Sequence, residues 1–228
     1  MPVYWGADNW CAGGSRLQQS PTAKPVSETA ITEVRNLRGE EIPDAVGLLA
    51  RGMRDNPLHV AAYGDDPDRR LRCHARLMGA FFSGFPAQQP ICAVRDGVLV
   101  GLTGVAPPGT CQPGAVQRVR MLPAFAALGP RTAVRVGEWT SVWSRRDPDE
   151  PHVHLGPLAV DAHLQGKGIG SLIMEEHCRR LDNAGETGYL ETDKAVNIRF
   201  YQRFGFVVIG DELVLGVPNW FMRRETRR

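Results

Sequence analysis

Residues 158–171 read LAVDAHLQGKGIGS, and this stretch decides the fold. An apolar strand that ends at Val160 leads into a glycine-rich turn, and the turn opens a helix predicted over 168–183. Such a turn directs several backbone N–H groups at one point, and the helix N-terminus adds a partial positive charge there. Glycine lets the backbone approach a ligand closely and adopt a positive φ. The arrangement therefore favours a pyrophosphate as its ligand.

Two common phosphate motifs do not fit this turn. The P-loop needs Ser or Thr after its lysine, whereas Lys167 is followed by Gly168. The dinucleotide motif needs a third glycine where Ser171 stands, and it needs an early βαβ unit. A glycine cluster by itself also fits an ordinary tight connection between a strand and a helix, so the rest of the chain has to decide.

Outward from the turn, strands and helices alternate in a way that predicts one mixed α/β domain over 28–228. Upstream, we predict a strand at 31–37, a helix that Asn56-Pro57 ends, a loop over 58–67, a helix at 68–83, a hairpin of 91–95 with 98–105, and a strand at 152–160. A helical insert occupies about 115–146, broken at Gly129-Pro130. Downstream, we predict strands at 188–192, 206–210 and 220–223 and a helix at 195–204. Residues 1–27 are predicted to be a poorly ordered N-terminal extension.

Composition excludes several classes of protein. Of the 228 residues, 43% are hydrophobic and 23% are charged, which is typical of a soluble globular protein. A net charge of +2 is too small to indicate nucleic acid or a membrane surface as a partner. The sequence contains no apolar run long enough to span a membrane.

Five cysteines, an odd number without a C-x-x-C pair, indicate neither a zinc framework nor disulfides. We therefore expect no metal, and a cytoplasmic, reducing compartment. Cys178 with His177 is disfavoured as a nucleophile and base, because adjacent helical residues do not face each other.

Two motifs resemble the GNAT superfamily of N-acetyltransferases. Gln165-x-x-Gly168-x-Gly170 is similar to the family's [Q/R]-x-x-G-x-[G/A] signature, and residues 197–206 resemble its N-x-x-F-Y-x-x-x-G-F segment. The closer similarity of 189–206 and 220–223 is to puromycin N-acetyltransferase-like members. Clear similarity covers about 152–224, and the helical insert departs from the minimal family pattern.

The resemblance implies an α/β (α+β) GNAT fold: a mixed, mostly antiparallel central sheet with a V-shaped splay between strands 4 and 5, flanked by helices. Gly156-Pro157 fits the bulged fourth strand, because proline cannot donate a ladder hydrogen bond. Acetyl-CoA is the implied co-substrate, and it enters the splay. Its implied binding residues are Leu158, Ala159, Val160, Gln165, Gly166, Lys167, Gly168, Ile169, Gly170, Ser171, Asn197 and Tyr201.

The resemblance also implies the catalytic groups. Tyr201 shares a helical face with Asn197, and in the family this tyrosine protonates the leaving thiolate. A phenol with a pKa of about 10 can donate a proton at neutral pH. His154 is the predicted base, since some members carry Glu or His at this strand position. Glu138 and Glu191 are further base candidates, His152 could share the face of His154, and the N–H of Ala159 or of a neighbouring residue could stabilise the oxyanion.

Three functions stay open at this point. The first is direct transfer of an acetyl group to a primary amine of a small molecule, of which an antibiotic is one kind. The others are a protein or peptide N-acetyltransferase and a non-catalytic CoA-binding regulatory module. The substrate is expected against 56–66, the insert and the C-terminal strand, where Trp139 and Trp143 either line the pocket or pack in the core. Family members are often dimers, so the resemblance brings the expectation of a homodimer.

Overall fold

The computed structural model describes residues 31–85 and 88–227, so the predicted extension at 1–27 lies outside the described residues. Strands are β1 Glu33–Asn36, β2 Ile91–Arg95, β3 Val98–Ala106, β4 Val153–Val160, β5 Gly188–Thr192, β6 Val207–Val214 and β7 Val217–Arg224. Helices are α1 Ile42–Gly52, α2 Pro57–Tyr63, α3 Pro67–Gly84, α4 Ala115–Ala127, α5 Pro130–Arg146, α6 Ile169–Ala184 and α7 Ala195–Gln202. No helix in this described part of the chain combines the length and the apolar character needed to cross a membrane.

The strands form one seven-stranded sheet in the order β1-β2-β3-β4-β5-β7-β6. Neighbouring strands are antiparallel except β4 and β5, which are parallel. The β4–β5 register holds two pairs, Val153 with Gly188 and His154 with Tyr189. Beyond them β4 continues to Val160 and β5 to Thr192 without pairing to each other. The two strands therefore part in a V, which confirms the predicted fold class.

A bulge in β4 lies where the sequence predicts it. The register between β3 and β4 shifts between Thr103 and Val105, opposite Gly156-Pro157. A Cβ atom on Gly156 would come within 3.3 Å of the Gly104 Cα, so the two backbones lie so close that a larger residue would have to push them apart. The bulge turns the second half of β4 away from β5.

Helices cover both faces of the sheet. On one face α1 and α3 pack against buried side chains of β2 and β3, such as Cys92, Val94 and Leu102. On the other face Ile169 and Ile173 of α6 pack against the alternate residues of the same strands. Because both faces are covered, every residue of β2 is buried. The predicted Asp96-Gly97 turn joins β2 to β3 with φ of 50° and 76°, as a type I′ turn requires.

The predicted loop at 58–67 is wrong, because most of it is helix α2. Asn56-Pro57 does end the preceding helical segment, but it also begins the next helix. Asn56 is extended and Pro57 stands at the first helical position, where its fixed φ is favourable and its missing N–H costs nothing. Leu58, Ala62 and Tyr63 bury the apolar face of this short helix, and Gly64 ends it at φ 95°.

The C-terminal hairpin is longer than the predicted strands at 206–210 and 220–223. β6 and β7 pair from Val207 with Arg223 to Val214 with Val217, across a tight turn. The turn residues Leu215 and Gly216 have φ of 52° and 78°. Leucine rarely occupies such a conformation. The turn therefore lacks the Asn-Gly or Asp-Gly pair by which a sequence usually indicates a hairpin.

Candidate active site

The second half of β4 offers one free strand edge. Leu158, Ala159 and Val160 pair with β3 on one side, while their other edge faces the V left by β5. Ala159 is buried, and its two neighbours are half-buried. The side-chain Nε2 of Gln165 donates to the Val160 carbonyl oxygen at 3.1 Å, which holds the glycine-rich turn against the end of the strand. The predicted cofactor-binding residues of the strand and the turn are therefore contiguous.

The turn itself needs glycine for conformation and not for space. Gly166 and Gly168 have φ of 78° and 82°, and a Cβ atom on either would meet nothing within 4 Å. Lys167 beside them is exposed, as is Gln165. Buried Ile169 anchors the start of α6, whose first N–H groups have no intrahelical partner. The start of this 16-residue helix is thus open to solvent, as an anion site requires.

Helix α7 approaches the same place. A Cβ atom on Gly170 would lie 3.5 Å from the Phe200 ring, so α6 and α7 meet next to the turn, where Ser171 is half-buried. Asn197 donates from Nδ2 to the Thr192 hydroxyl at 3.2 Å and fixes α7 to the end of β5.

Tyr201 of α7 packs against both of the diverging strands. It is 6% exposed and packs in one cluster with Leu155 of β4 and Leu190 of β5. Burial raises the pKa of Tyr201 above its ordinary value, so the phenol is protonated at neutral pH. The predicted acid thus contacts the cluster that β4 and β5 share. Phe200 and Phe204 are partly buried against the same cluster, in keeping with core aromatics.

Asp193 is a charged residue of this region that sequence reasoning missed. It follows β5 directly and accepts a hydrogen bond at 2.8 Å from the N–H of Leu58, at the start of α2. Burial raises the pKa of the Asp193 carboxyl, and its charge also contributes to the raised pKa of Tyr201. The sequence does offer one sign of Asp193: an acidic residue stands directly between a buried strand and the helix that carries Asn197.

His154 and Glu191 do meet, but they bind each other. His154 Nε2 lies 2.8 Å from the Glu191 Oε2, and the Glu191 side chain is only 2% exposed. The other ring nitrogen of His154, Nδ1, lies 3.4 Å from the Asp147 Oδ1. Both nitrogens are thus directed at carboxylates of the protein. The second histidine, His152, does share this face, as the sequence suggested.

The cluster around these histidines is larger than the sequence indicated. His152 Nε2 lies 3.0 Å from Asp147 Oδ1, and the Cys111 Sγ lies 3.1 Å from Asp147 Oδ2. Burial lowers the pKa of His152, but its hydrogen bonds to Asp147 and Cys111 outweigh that effect and raise the value to about 10. Burial raises the pKa of the Cys111 thiol, but its interactions with the two neighbouring histidines bring that pKa below its usual range. The sequence gives little sign of Cys111 or Asp147, since both are distant from β4 along the chain.

A second concave feature lies on the predicted substrate side. A groove of about 610 Å³ runs between α2, α5 and the β6–β7 turn, with Asp65, Arg135 and Glu138 among its charged residues. Glu138, a further base candidate, is exposed there. Trp139 is buried with its ring 5.2 Å from that of His59, so it belongs to the core. Trp143 donates from Nε1 to Asn219 at 3.1 Å and packs on Trp139.

Comparison with known proteins agrees with this geometry. A family model described as "Acetyltransferase (GNAT) family" matches residues 56–206. A histone acetyltransferase HPA2 and related acetyltransferase from Corynebacterium glutamicum has a similar structure, with a TM-score of 0.64, 18% identity, and coverage of 86% of this chain and 97% of that chain.

Two further structures are similar in fold. The PaiA N-acetyltransferase from Thermoplasma acidophilum in complex with coenzyme A has a TM-score of 0.52 and 13% identity, over 86% of this chain and 99% of that one. The ribosomal-protein-S18-alanine N-acetyltransferase from Escherichia coli has a TM-score of 0.52 and 14% identity, over 87% and 96%. At these identities the likeness concerns the fold alone.

Proposed function

The chain belongs to the GNAT acetyltransferase family, and from this premise we propose that it transfers the acetyl group of acetyl-CoA directly to a primary amine of a small molecule. One observation carries the proposal. The free edge of β4 borders the V, the glycine-rich turn is held against the end of that strand, and Tyr201 packs against both strands that form the V. An extended ligand with a pyrophosphate at one end and a reactive group at the other matches that opening.

We propose that the pantetheine arm of acetyl-CoA pairs with residues 158–160 as an added strand. Main-chain hydrogen bonds to an exposed strand edge are a general way of holding an extended ligand. The pyrophosphate then meets the N–H groups of residues 165–171 at the start of α6. The coenzyme A complex of the Thermoplasma acidophilum protein supports this choice of ligand as a precedent in a similar fold.

Acetyl-CoA supplies the activated acyl group, and the chain's own residues handle two protons and one developing charge. Tyr201 donates a proton from its hydroxyl to the departing sulfur, a role that requires the phenol to be protonated at neutral pH, as it is here. The register with β3 directs the Ala159 N–H into the sheet, so we propose that the neighbouring N–H of Leu158, which faces the free edge, donates a hydrogen bond to the oxygen on which negative charge develops. The amine attacks the carbonyl directly, without an acylated side chain.

For the proton of the attacking ammonium, we propose Asp193 in place of His154 and Glu191. Those two side chains are engaged with each other at 2.8 Å, and Glu191 is almost fully buried. Asp193 lies close enough to Tyr201 to perturb it electrostatically, and its raised pKa brings it nearer the working range of a base. Its negative charge also favours the approach of a cationic amine.

The Asp193→Asn variant tests that role. Asparagine can still accept the hydrogen bond from Leu58, so α2 keeps its anchor while the base is lost. We expect kcat/KM for the amine to fall about 100-fold, with acetyl-CoA affinity unchanged. The Glu175→Gln variant is the control, because that carboxylate is exposed in the middle of α6 and belongs to neither the V nor the groove. Equal activity of Asp193→Asn and the wild-type protein would assign the proton to another acceptor.

We propose that the amine enters from the groove beside α2. Helix α2 connects the two features, since Leu58 contacts Asp193 and Ala61, three residues on, lines the groove. Three residues of helix span only about 4.5 Å. The carboxylates Asp65 and Glu138 suit a substrate with a second positive group. A small basic amine is therefore the substrate class that we favour.

The decisive experiment measures thiol release from acetyl-CoA with a panel of amines: puromycin, aminoglycosides, polyamines, amino acids and short peptides. Calorimetric titration of CoA and acetyl-CoA accompanies it. Binding with turnover of one class of small amine is the expected result. Turnover of peptides alone would assign a protein acetyltransferase. Binding without any turnover would indicate a regulatory module, and absence of binding would overturn the assignment of residues 165–171.

A further inference from the structure

Four potential metal ligands meet at the start of β4, and the proposed transfer does not use them as a group. Cys111 comes from the connection between β3 and α4, Asp147 directly follows α5, and His152 and His154 stand at the start of β4. Their donor atoms all lie within 4.8 Å of one another. The expectation of no metal rested on cysteine spacing along the chain, and that spacing cannot detect a cluster assembled from three separate segments.

The distances match those of a tetrahedral site. Ligands bound at 2.0–2.3 Å in a tetrahedron lie about 3.3 Å apart for two nitrogens or oxygens, and about 3.5 Å apart for sulfur with nitrogen. Here Asp147 Oδ1 lies 3.0 Å from His152 Nε2 and 3.4 Å from His154 Nδ1. The Cys111 Sγ lies 3.9 Å from His152 Nε2. Each of these three separations is within about half an ångström of the value expected for a shared ion.

Both histidines are oriented as metal ligands are. His152 Nδ1 donates to the Glu150 carbonyl oxygen at 2.8 Å, which leaves Nε2 to face the cluster. His154 makes its 2.8 Å hydrogen bond to Glu191 through Nε2, which leaves Nδ1 facing the cluster. That Nδ1 is buried and makes no hydrogen bond to any described residue. A metal-bound histidine typically donates its other N–H to a carbonyl or carboxylate, as both rings do here.

We propose that Cys111, Asp147, His152 and His154 bind one zinc ion in a closed, structural site. One thiolate, two imidazoles and one carboxylate are ligands that zinc prefers, and four protein ligands complete its tetrahedron. The side chains of His152, Asp147 and His154 are 5%, 9% and 17% exposed, so little room is left for a water ligand. The ring of Tyr189 packs edge-on against both histidines and closes the site from β5.

Such an ion would join the end of α5 and the β3–α4 connection to β4, directly below the point where β4 and β5 part. Glu191 then acts as a positioning residue for His154 and not on the amine. This inference does not depend on the proposed acetyl transfer, because metal binding is measured without substrate.

The first test measures metal in the full-length protein. We expect purified protein to contain about one zinc per chain by mass spectrometry, and chelator-treated protein to regain one equivalent of Zn²⁺. Substitution of Co²⁺ reports the ligands: a tetrahedral site gives intense visible bands, and a bound thiolate adds a charge-transfer band in the near ultraviolet. Cobalt spectra of the wild-type protein keep the proposal testable even if a variant fails to fold.

Variants assign the ligands. Cys111→Ser should lose the charge-transfer band, and His152→Gln should lose stoichiometric Zn²⁺. Cys178→Ser is the matched control, because that thiol is buried in a different cluster, and it should keep one zinc per chain. Glu191→Ala should weaken Zn²⁺ binding about 10- to 100-fold, whereas Glu191→Gln, which can still accept from His154, should retain most of it. Wild-type protein that binds Zn²⁺ no better than His152→Gln, or Co²⁺ without a thiolate band, would overturn the site.

Discussion

Tyr201 is the residue on which the proposed chemistry depends most directly. In Tyr201→Phe the ring still fills its place among Leu155 and Leu190, but the proton donor is lost. We expect turnover to fall about 100-fold while calorimetry shows unchanged acetyl-CoA affinity. Tyr63→Phe is the control, because it removes an equally buried hydroxyl from the α2 side of the core. Full activity of Tyr201→Phe at every pH would exclude the acid role.

Buried His177 should make the free energy of unfolding depend on pH below neutrality. Burial, with help from Arg224 and Arg180, lowers the pKa of this histidine to about 4. The unfolded chain binds its proton near pH 6.5, so His177 favours folding above that pH, and the contribution is lost as the pH falls. In His177→Leu we expect the drop in unfolding free energy between pH 7 and pH 5 to shrink by about 2 kcal/mol.

Urea unfolding at the two pH values measures that change. His163→Leu is the control, since the His163 side chain is 65% exposed and its removal should leave the drop unaltered. An unchanged drop in His177→Leu would mean that His177 takes up its proton in the folded protein as readily as in the unfolded chain.

At this scale, some functional residues could be predicted from sequence and others could not. Asn197 and Tyr201 are four apart on one helix, so local periodicity places them on the same face. Cys111 and Asp147 are 36 positions apart, and nothing local brings them together. Their meeting depends on how the β3–α4 connection and the end of α5 pack against β4, and that packing is not encoded in any short pattern.

At the scale of elements, the two ends of helix α6 should differ in their effect on acetyl-CoA binding. Gly168 begins α6 at φ 82°, and Gly185 ends the same helix at φ 69°; a side chain on either would project into open space. Gly168→Trp therefore strains the backbone and fills the space assigned to the pyrophosphate, whereas Gly185→Trp brings comparable strain at the other end of α6. We expect acetyl-CoA affinity to fall at least about ten-fold in the first variant and to be unchanged in the second.

Calorimetry on both variants separates a local role from general destabilisation. Equal loss of affinity in the two would show that the effect is strain in α6, and full affinity in Gly168→Trp would show that the phosphates bind elsewhere.

Some helices, strands and turns can be predicted from the sequence and others cannot. The Asp96-Gly97 hairpin and the β4–turn–α6 unit follow from local signals that agree with their packing. Helix α2 was missed because proline both ends one helix and begins the next, and only burial of Leu58 and Tyr63 decides for helix. The tip of the β6–β7 hairpin was missed because Leu215 adopts a conformation that its side chain does not favour.

At the scale of the whole molecule, the sheet consists of two parts that barely touch. β1 to β4 form one part, β5, β7 and β6 form the other, and two residue pairs join them across β4 and β5. An extended ligand along residues 158–160 would add hydrogen bonds on the open side of that junction. We therefore expect the ligand to stabilise the molecule as a whole, by about 2.7 kcal/mol at a concentration 100 times its Kd.

Hydrogen exchange with and without CoA shows where that stabilisation originates. Amides of Leu158 and Val160 and of residues 165–171 should exchange more slowly with CoA, because the first two face the free edge of β4 and the others surround the proposed phosphate site. Amides at the tip of the β6–β7 hairpin, 214–217, lie on the groove side and should show little direct protection, so they serve as the internal control. In Gly168→Trp the difference should vanish at 165–171. Protection confined to the groove would place CoA outside the V and would require a different path for the acetyl group.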